Sequence, residues 1–365
     1  MQNIRQKFLR SLREIDVLKG LEIGALDSPL VVPEDLVGDG EVFYLDHLST
    51  DGLRHKYRED KTVNLDEIVS VDFVCSDTNL LDAVNGNTFD YVVASHVIEH
   101  SPNMLKFLED TYKILKPGGL LFLIIPDKRF TFDINRPETT FGELLESYFY
   151  QNTRPRIASV YDHFANAINV DAHSVWFGNF KKARANLLAS RSFAWTAAKL
   201  VKKEDEYYDV HVNIFTPYGF FEILNRAISH ELFMFEVEDF VDTPISQLEF
   251  FVALRKPEMT TPEKVKADCL KKIPHLKIDS VLSPYMPQVK ALSEALKTNA
   301  EISESLRREV QDERRLNELS NLKLIELKAN LELTQRSLDR RSVKFILGLV
   351  HIMHSILNLN LFRKG

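Results

Sequence analysis

The chain has 365 residues, 44% hydrophobic and 27% charged, enough for a full α/β domain with accessory segments. A formal net charge of -7 disfavours nucleic acid as a partner. Only two cysteines, Cys75 and Cys269, far apart in sequence, argue against a disulfide framework or a cysteine-rich metal site and fit a reducing compartment.

The first ten residues are too polar for a secretory signal and read as a short amphipathic helix leading into the first strand. Residues 20–24 form a short apolar strand broken by glycine, and residues 42–45 a second strand ending at Asp46. A third strand over 71–75 is followed by Asp77, a fourth spans 89–94, and a fifth spans 120–125. Between the last two, the apolar spacing of three and four over 103–115 predicts a surface helix. Lys116-Pro117-Gly118-Gly119 ends that helix and starts the next strand. Strands alternating with helices imply right-handed crossovers and a mostly parallel sheet.

Residues 127–210 break the pattern and are rich in aromatics, arginines and histidines, with helical stretches at 142–150 and 181–202. A structureless loop of that length is improbable, so this segment reads as a helical insertion over the strand ends. Thr216-Pro217 supplies a capping hydroxyl and a proline at the first helical position, for a helix running to about Ser229. Residues 232–240 and 248–254 then read as a closing strand pair. The expected fold is α/β, a doubly wound seven-stranded mostly parallel sheet with ligands beyond the carboxyl ends of its strands.

The domain runs to residue 256, and residues 257–287 read as a polar linker punctuated by prolines. From 288 to 341 there is no proline or glycine, and Leu324, Leu327, Leu331 and Leu338 follow a three-four-seven spacing. This predicts a long helix with an imperfect coiled-coil stripe and self-association through it. A solitary solvated helix, or one packed back on the domain, is the alternative. The tail 342–365 is apolar and basic, but Lys344, His351, His354 and Ser355 make it too polar and too short for a membrane span. It reads either as a peripheral helix on an anionic membrane surface or as a buried oligomerisation helix.

Several linked positions resemble the class I S-adenosylmethionine-dependent methyltransferases over roughly residues 18–256. They are Glu22-Ile23-Gly24-Ala25-Leu26-Asp27, Asp46 after the second strand, Asp77 after the third, the loop at His96 and Lys116-Pro117-Gly118-Gly119. Within that family the chain is most similar to bacterial methyltransferases of cell-surface polysaccharide or glycan synthesis. The first motif keeps only the first of the usual glycines. The resemblance implies S-adenosylmethionine as cofactor and a cytoplasmic enzyme, at most peripheral on the inner membrane face.

Gly24 lets the backbone approach the ligand without a Cβ in the way, and the amides of its turn, Ala25 included, can meet the methionine carboxylate. Glu22 either organises the turn or accepts a bond from the amino group. Asp46 can accept both ribose hydroxyls, and Asp77 resembles the family's acceptor for the adenine amino group, with Thr78 and Asn79 as wall residues. For each acid the plainer role is a strand-end helix cap.

Ser95-His96-Val97-Ile98-Glu99-His100 follows the fourth strand, where the family places the methyl donor. Ser95 joins the cofactor residues. Methyl transfer to a sugar hydroxyl needs positioning and a base, and neutral histidine has the right intrinsic pKa. A helix starting here would put His96 and His100 on one face, with Glu99 orienting one of them. The pattern also invites a metal reading, but with no third ligand evident no metal is expected. Asp127, Lys128 and Arg129 leave the fifth strand on the acceptor side, and His211 is a further candidate base. The alternative for Arg129 is a salt bridge that clamps the insertion. In the insertion, His163 and His173 sit among Phe164, Trp176 and Phe177, which either stack on a sugar or form the insertion's own core. The leading function is O-methylation of a sugar or glycan precursor. The alternatives are a catalytically weak or inactive scaffold in a glycan-assembly complex and a nicotinamide-dependent sugar oxidoreductase. The last is disfavoured because the second and third glycines and a Tyr-x-x-x-Lys pair are missing.

Overall fold

A computed structural model describes residues 4–12, 15–76, 79–176, 186–204, 208–258 and 262–276, with short helical pieces at 302–304, 344, 347–349 and 351. Backbone packing divides the chain into Met1–Ala291 and Leu292–Gly365. The sheet and every site residue discussed below lie in the first unit. The long helix expected over 288–341 and the tail over 342–365 fall, apart from those short pieces, outside the described residues. Among the described residues no helix is long and apolar enough to cross a membrane.

Seven strands form one sheet: β1 (Lys19–Ile23), β2 (Glu41–Asp46), β3 (Phe73–Val74), β4 (Phe89–Ser95), β5 (Leu115–Pro126), β6 (Glu236–Val241) and β7 (Glu249–Arg255). Their order is β3-β2-β1-β4-β5-β7-β6. Pairings among β1 to β5 are parallel, whereas β7 runs antiparallel to β5 and to β6. The hairpin connection between β6 and β7 is what lets β7 insert against the rest of the sheet. Strand order reverses between β1 and β4, so a crevice opens there at the carboxyl ends.

The helices are α1 (Ile4–Leu12), α2 (Thr50–Tyr57), α3 (Leu80–Ala83), α4 (Met104–Ile114), α5 (Phe141–Phe149), α6 (Ile157–Asn166), α7 (Ala172–Trp176), α8 (Arg191–Glu204), α9 (Pro217–Ser229) and α10 (Pro262–Lys271). One layer packs Leu105, Leu108, Phe220 and Leu224 against Val92, Leu121, Leu123 and Phe250. The other face carries Tyr91, Val93, Phe122 and Phe251, covered by Phe8 and Leu9 of α1. With both faces covered, β4 and β5 are almost continuously apolar rather than alternating.

Local chemistry fixes the helix starts. Thr216 accepts from Gly219 N at 3.1 Å, and Pro217 opens α9 as its sequence predicts. Asn103 caps α4 the same way, through Lys106 N. The segment read as a linker contains α10, whose Cys269, with Ile273 beyond it, is buried in the main core. A four-residue spacing of Val265, Cys269 and Ile273 makes that stripe, and the flanking prolines obscure it. Of the helix expected over 181–202, residues 181–185 lie outside the described residues, 186–190 are not helical, and a helix runs over Arg191–Glu204.

Candidate functional site

A cavity of about 800 Å³ lies at the carboxyl ends of β1, β2 and β4. Gly24 follows β1 with φ +71°, a left-handed conformation that glycine adopts without cost. A Cβ there would sit 2.9 Å from Val97 Cγ2, so the turn is pressed against the loop after β4. Glu22, 2% exposed, accepts from Leu30 N at 2.8 Å and from Val31 N at 3.0 Å. Burial raises its pKa to about 7 against the opposing pull of those two amides. Its carboxyl group therefore ties down the segment after the turn and does not line the cavity. Ala25 is buried and likewise absent from the cavity wall.

Asp46 ends β2 at the cavity edge. Its Oδ1 accepts from His47 N at 2.7 Å and lies 2.5 Å from His47 Nδ1, while Oδ2 has no hydrogen-bond partner among the described residues. Asp77 and Thr78 fall outside the described residues. Their neighbours Cys75 and Ser76 line the cavity beside Ser95.

The loop after β4 is not the start of a helix, since α4 begins only at Met104. His96 and His100 consequently face different partners. His96 takes φ +55°, strained for a side-chain-bearing residue. Its Nε2 lies 2.6 Å from Glu249 Oε2 and 3.3 Å from an Arg5 guanidinium nitrogen, and its Nδ1 lies 3.4 Å from Glu99 Oε1. Arg5 grips Glu249 through both carboxylate oxygens, at 2.7 and 2.6 Å. Burial opposes ionisation of Glu249, but His96 and Arg5 hold its pKa below the ordinary value. His96 is thus engaged at Nε2, while its Nδ1 only approaches Glu99, and the residue lines the cavity with His100.

His100 lines the cavity with its Nδ1 2.9 Å from Asp209 Oδ1. That nitrogen is sealed from solvent and sits off the ideal hydrogen-bond line, although the side chain as a whole is 35% exposed. Burial disfavours the charged ring, yet Asp209 and Glu99 more than offset it and raise the His100 pKa. Asp209 moves the opposite way, its pKa lowered chiefly by His100 and further by Lys56.

Glu99 is 1% exposed, and neither carboxylate oxygen has a hydrogen-bond partner among the described residues. Its backbone carbonyl accepts from Val212 N at 2.7 Å and Asn213 N at 2.9 Å, which fastens the end of the insertion to this loop. His211 thereby arrives with its ring 4.8 Å from and perpendicular to that of His100. Its Nδ1 lies 2.5 Å from Asp133 Oδ2, and Asp133 also binds Arg136 at 2.7 Å. Glu99, His100 and His211 bring one ligand atom each within 4.8 Å of one another, a set that could hold a divalent ion.

The charged exit of β5 is not part of this cavity. Asp127 and Arg129 are buried and paired, at 2.6 Å, and Thr243 Oγ1 donates to Asp127 at 2.7 Å. Arg129 also reaches Asp242 at 3.1 Å, so the pair clamps the β6–β7 connection instead of presenting groups to an acceptor. Trp176 stacks on Phe130 at 4.2 Å, and Phe164 packs edge-on against Phe193 and Tyr208. These aromatics are the insertion's own core; Phe177 lies outside the described residues. Burial, then Arg136, lowers the pKa of His163 to about 4. His173 faces Ser246 at 3.4 Å, away from the cavity.

Residues 33–198 match the profile of a family described as a methyltransferase domain. Over those residues the chain is similar to methyltransferase domains. Its strand order and the cavity at its switch point agree with that match. A ubiquinone biosynthesis O-methyltransferase of Parvibaculum lavamentivorans is 29% identical over 114 residues, 31% of this chain and 42% of the relative. The mitochondrial ubiquinone biosynthesis O-methyltransferase of Rattus norvegicus is 46% identical over 55 residues, 15% of this chain and 16% of its own length. The chain therefore spans less than half the length of these relatives. A solved S-adenosylmethionine-dependent methyltransferase from Aquifex aeolicus aligns over 69% of this chain and 89% of its own, at 11% identity and a TM-score of 0.34.

S-adenosylmethionine is the cofactor of this methyltransferase domain, and the cavity fits it. Gly24 and Asp46 both line the cavity, and Asp46 Oδ2 has no hydrogen-bond partner among the described residues. Several groups around the methyltransferase cavity carry no signal in the sequence. Asp209, Lys56, Arg5 and Glu249 lie far from the motifs, and only the position of His47 next to Asp46 pointed to it.

Proposed function

We propose that the protein is an enzyme that transfers a methyl group from S-adenosylmethionine to a hydroxyl of a sugar or glycan precursor, with His100 as the general base. The observation that carries this reading is the His100 ring in the cavity wall with its Nδ1 2.9 Å from Asp209 Oδ1. A proton on Nδ1 facing the carboxylate leaves the Nε2 lone pair for an acceptor proton, the logic of a carboxylate–histidine dyad. When bound, the cofactor supplies an electrophilic methyl on a sulfonium. The acceptor oxygen takes the methyl, and His100 Nε2 takes the hydroxyl proton. Asp209 and Glu99 stabilise the resulting imidazolium.

The residues that the insertion contributes to the cavity, Thr153, Arg154 and Asp209, are all polar, which suits a hydroxyl-rich acceptor. A phenolic acceptor is the second reading, favoured by the names of the ubiquinone-pathway relatives. Incubation with labelled methyl donor and a panel of nucleotide-linked sugars and dihydroxybenzoates tests both, with His100→Ala as control. Label on a sugar, lost in the variant, is the expected result. Label on the phenols alone would replace the acceptor class. Binding of S-adenosylhomocysteine with no turnover on either class would favour the scaffold alternative. Self-association through 288–341 and peripheral membrane contact through 342–365 also stand as proposals. Sedimentation and vesicle flotation of the full chain beside one ending at residue 287 test them.

A further inference from the structure

Asp46 and His100 sit on different strand ends, yet a continuous run of polar contacts joins them. His47 Nδ1 lies 2.5 Å from Asp46 Oδ1, and His47 Nε2 lies 3.2 Å from Lys56 Nζ. The same ammonium donates to Asp209 Oδ2 at 2.9 Å, and Asp209 Oδ1 lies 2.9 Å from His100 Nδ1. Lys56 stands in the last turn of α2, whose first turn is capped by the Ser49 hydroxyl, so the helix is anchored directly behind β2.

One assignment of protons satisfies every contact. Lys56 has only donors, so it requires a lone pair on His47 Nε2. His47 then carries its proton on Nδ1 and gives it to Asp46. Lys56 gives a second proton to Asp209, and His100 Nδ1–H faces the other oxygen of that carboxylate. Burial works against the charge on Lys56, but Asp209 more than offsets it and raises its pKa.

We propose that Lys56 is a positioning residue that couples ribose recognition at Asp46 to the base at His100. This rests on the cofactor and base assignments above. Ribose hydroxyls donating to Asp46 Oδ2 draw charge from the carboxylate and weaken the hold of Oδ1 on the His47 proton. His47 then accepts differently from Lys56, and the ammonium shifts between His47 and Asp209. Asp209 in turn holds the His100 proton more or less firmly. Coupling of this kind is reciprocal, so the protonation state of His100 also alters cofactor affinity. The other titratable groups facing His100 are Glu99, beside it in the chain, and His211, with its ring at 4.8 Å. Neither belongs to the run from Asp46.

The test is an NMR titration of the His100 ring in the full chain, with and without S-adenosylhomocysteine, the ring assigned from His100→Gln. S-adenosylhomocysteine lacks the sulfonium charge, so it reaches Asp46 without placing a cation beside His100. The expected result for the wild type is a displacement of the His100 midpoint on the order of half a pH unit, equivalent to about threefold coupling. Lys56→Met should bind the ligand within about threefold of wild type but lose the displacement, and Lys56→Arg should restore part of it. An unmoved His100 in the ligand-bound wild type overturns the coupling, as does an undiminished displacement in Lys56→Met. Failure of the folded wild type to bind at all is a separate result, which removes the cofactor reading and the coupling with it.

Discussion

Replacing Asp46 by asparagine isolates one charge at the cofactor end of the cavity. Asp46 Oδ2 has no partner among the described residues, whereas Oδ1 already serves the His47 amide and ring. The free oxygen is thus the one positioned for a ribose hydroxyl. A hydrogen bond to a charged acceptor contributes about 1.5–3 kcal/mol. Loss of one such bond corresponds to about a 10- to 150-fold weaker Kd for S-adenosylhomocysteine. Asparagine keeps an acceptor for the His47 amide, so the strand end stays supported, whereas alanine would leave that amide unpaired. Calorimetric titration measures the affinity, and a thermal melt of the same sample checks that the fold survives. A stable Asp46→Asn variant binding within threefold of wild type would refute the assignment of Asp46 to the ribose.

His100→Ala should cost about 10²–10⁴-fold in turnover with S-adenosylhomocysteine affinity little changed, measured with labelled methyl donor. In the wild type the rate should rise with pH through a limb above the ordinary histidine pKa, because the base works as the neutral ring and its pKa is raised. Glu22 binds its proton more tightly folded, at about 7, than at its ordinary 4.5. Between those values the folded state holds more protons, so this group's contribution to stability falls as pH rises through that window. Melts of Glu22→Gln should show that part of the slope flattened. Arg5→Met removes a bidentate partner from a nearly sealed carboxylate. With Arg5 one-third exposed and His96 remaining on Glu249, the loss should be about 1–2 kcal/mol, a fall of a few degrees in Tm. An unchanged melt would show that the contact does not hold α1 in place.

Much of the fold was legible because the signals were local. The apolar run at Phe89 and the Thr216-Pro217 start each carry their meaning within a few residues. The prolines around residue 262 gave a linker reading because Val265, Cys269 and Ile273 show their apolar stripe only if a helix is already assumed. His96 and His100 looked like one helical face because a spacing of four is ambiguous in a turn. The chain instead stays irregular until Asn103 caps the helix.

By itself the sequence determined the doubly wound sheet, the glycine turn and Asp46, all set by strand periodicity and by which residue follows a strand. Tertiary structure alone decided what each charged group touches. Asp127 and Arg129 read as acceptor ligands until the fold closed them on each other and on Asp242 and Thr243. Asp209 carries no signal of its own in the sequence, and only the fold brings it to His100 and Lys56, 109 and 153 residues away in the chain. The reason is physical: a side chain's chemistry depends on desolvation and on its partners. Both are set by contacts between distant segments, and periodicity along the chain does not encode them.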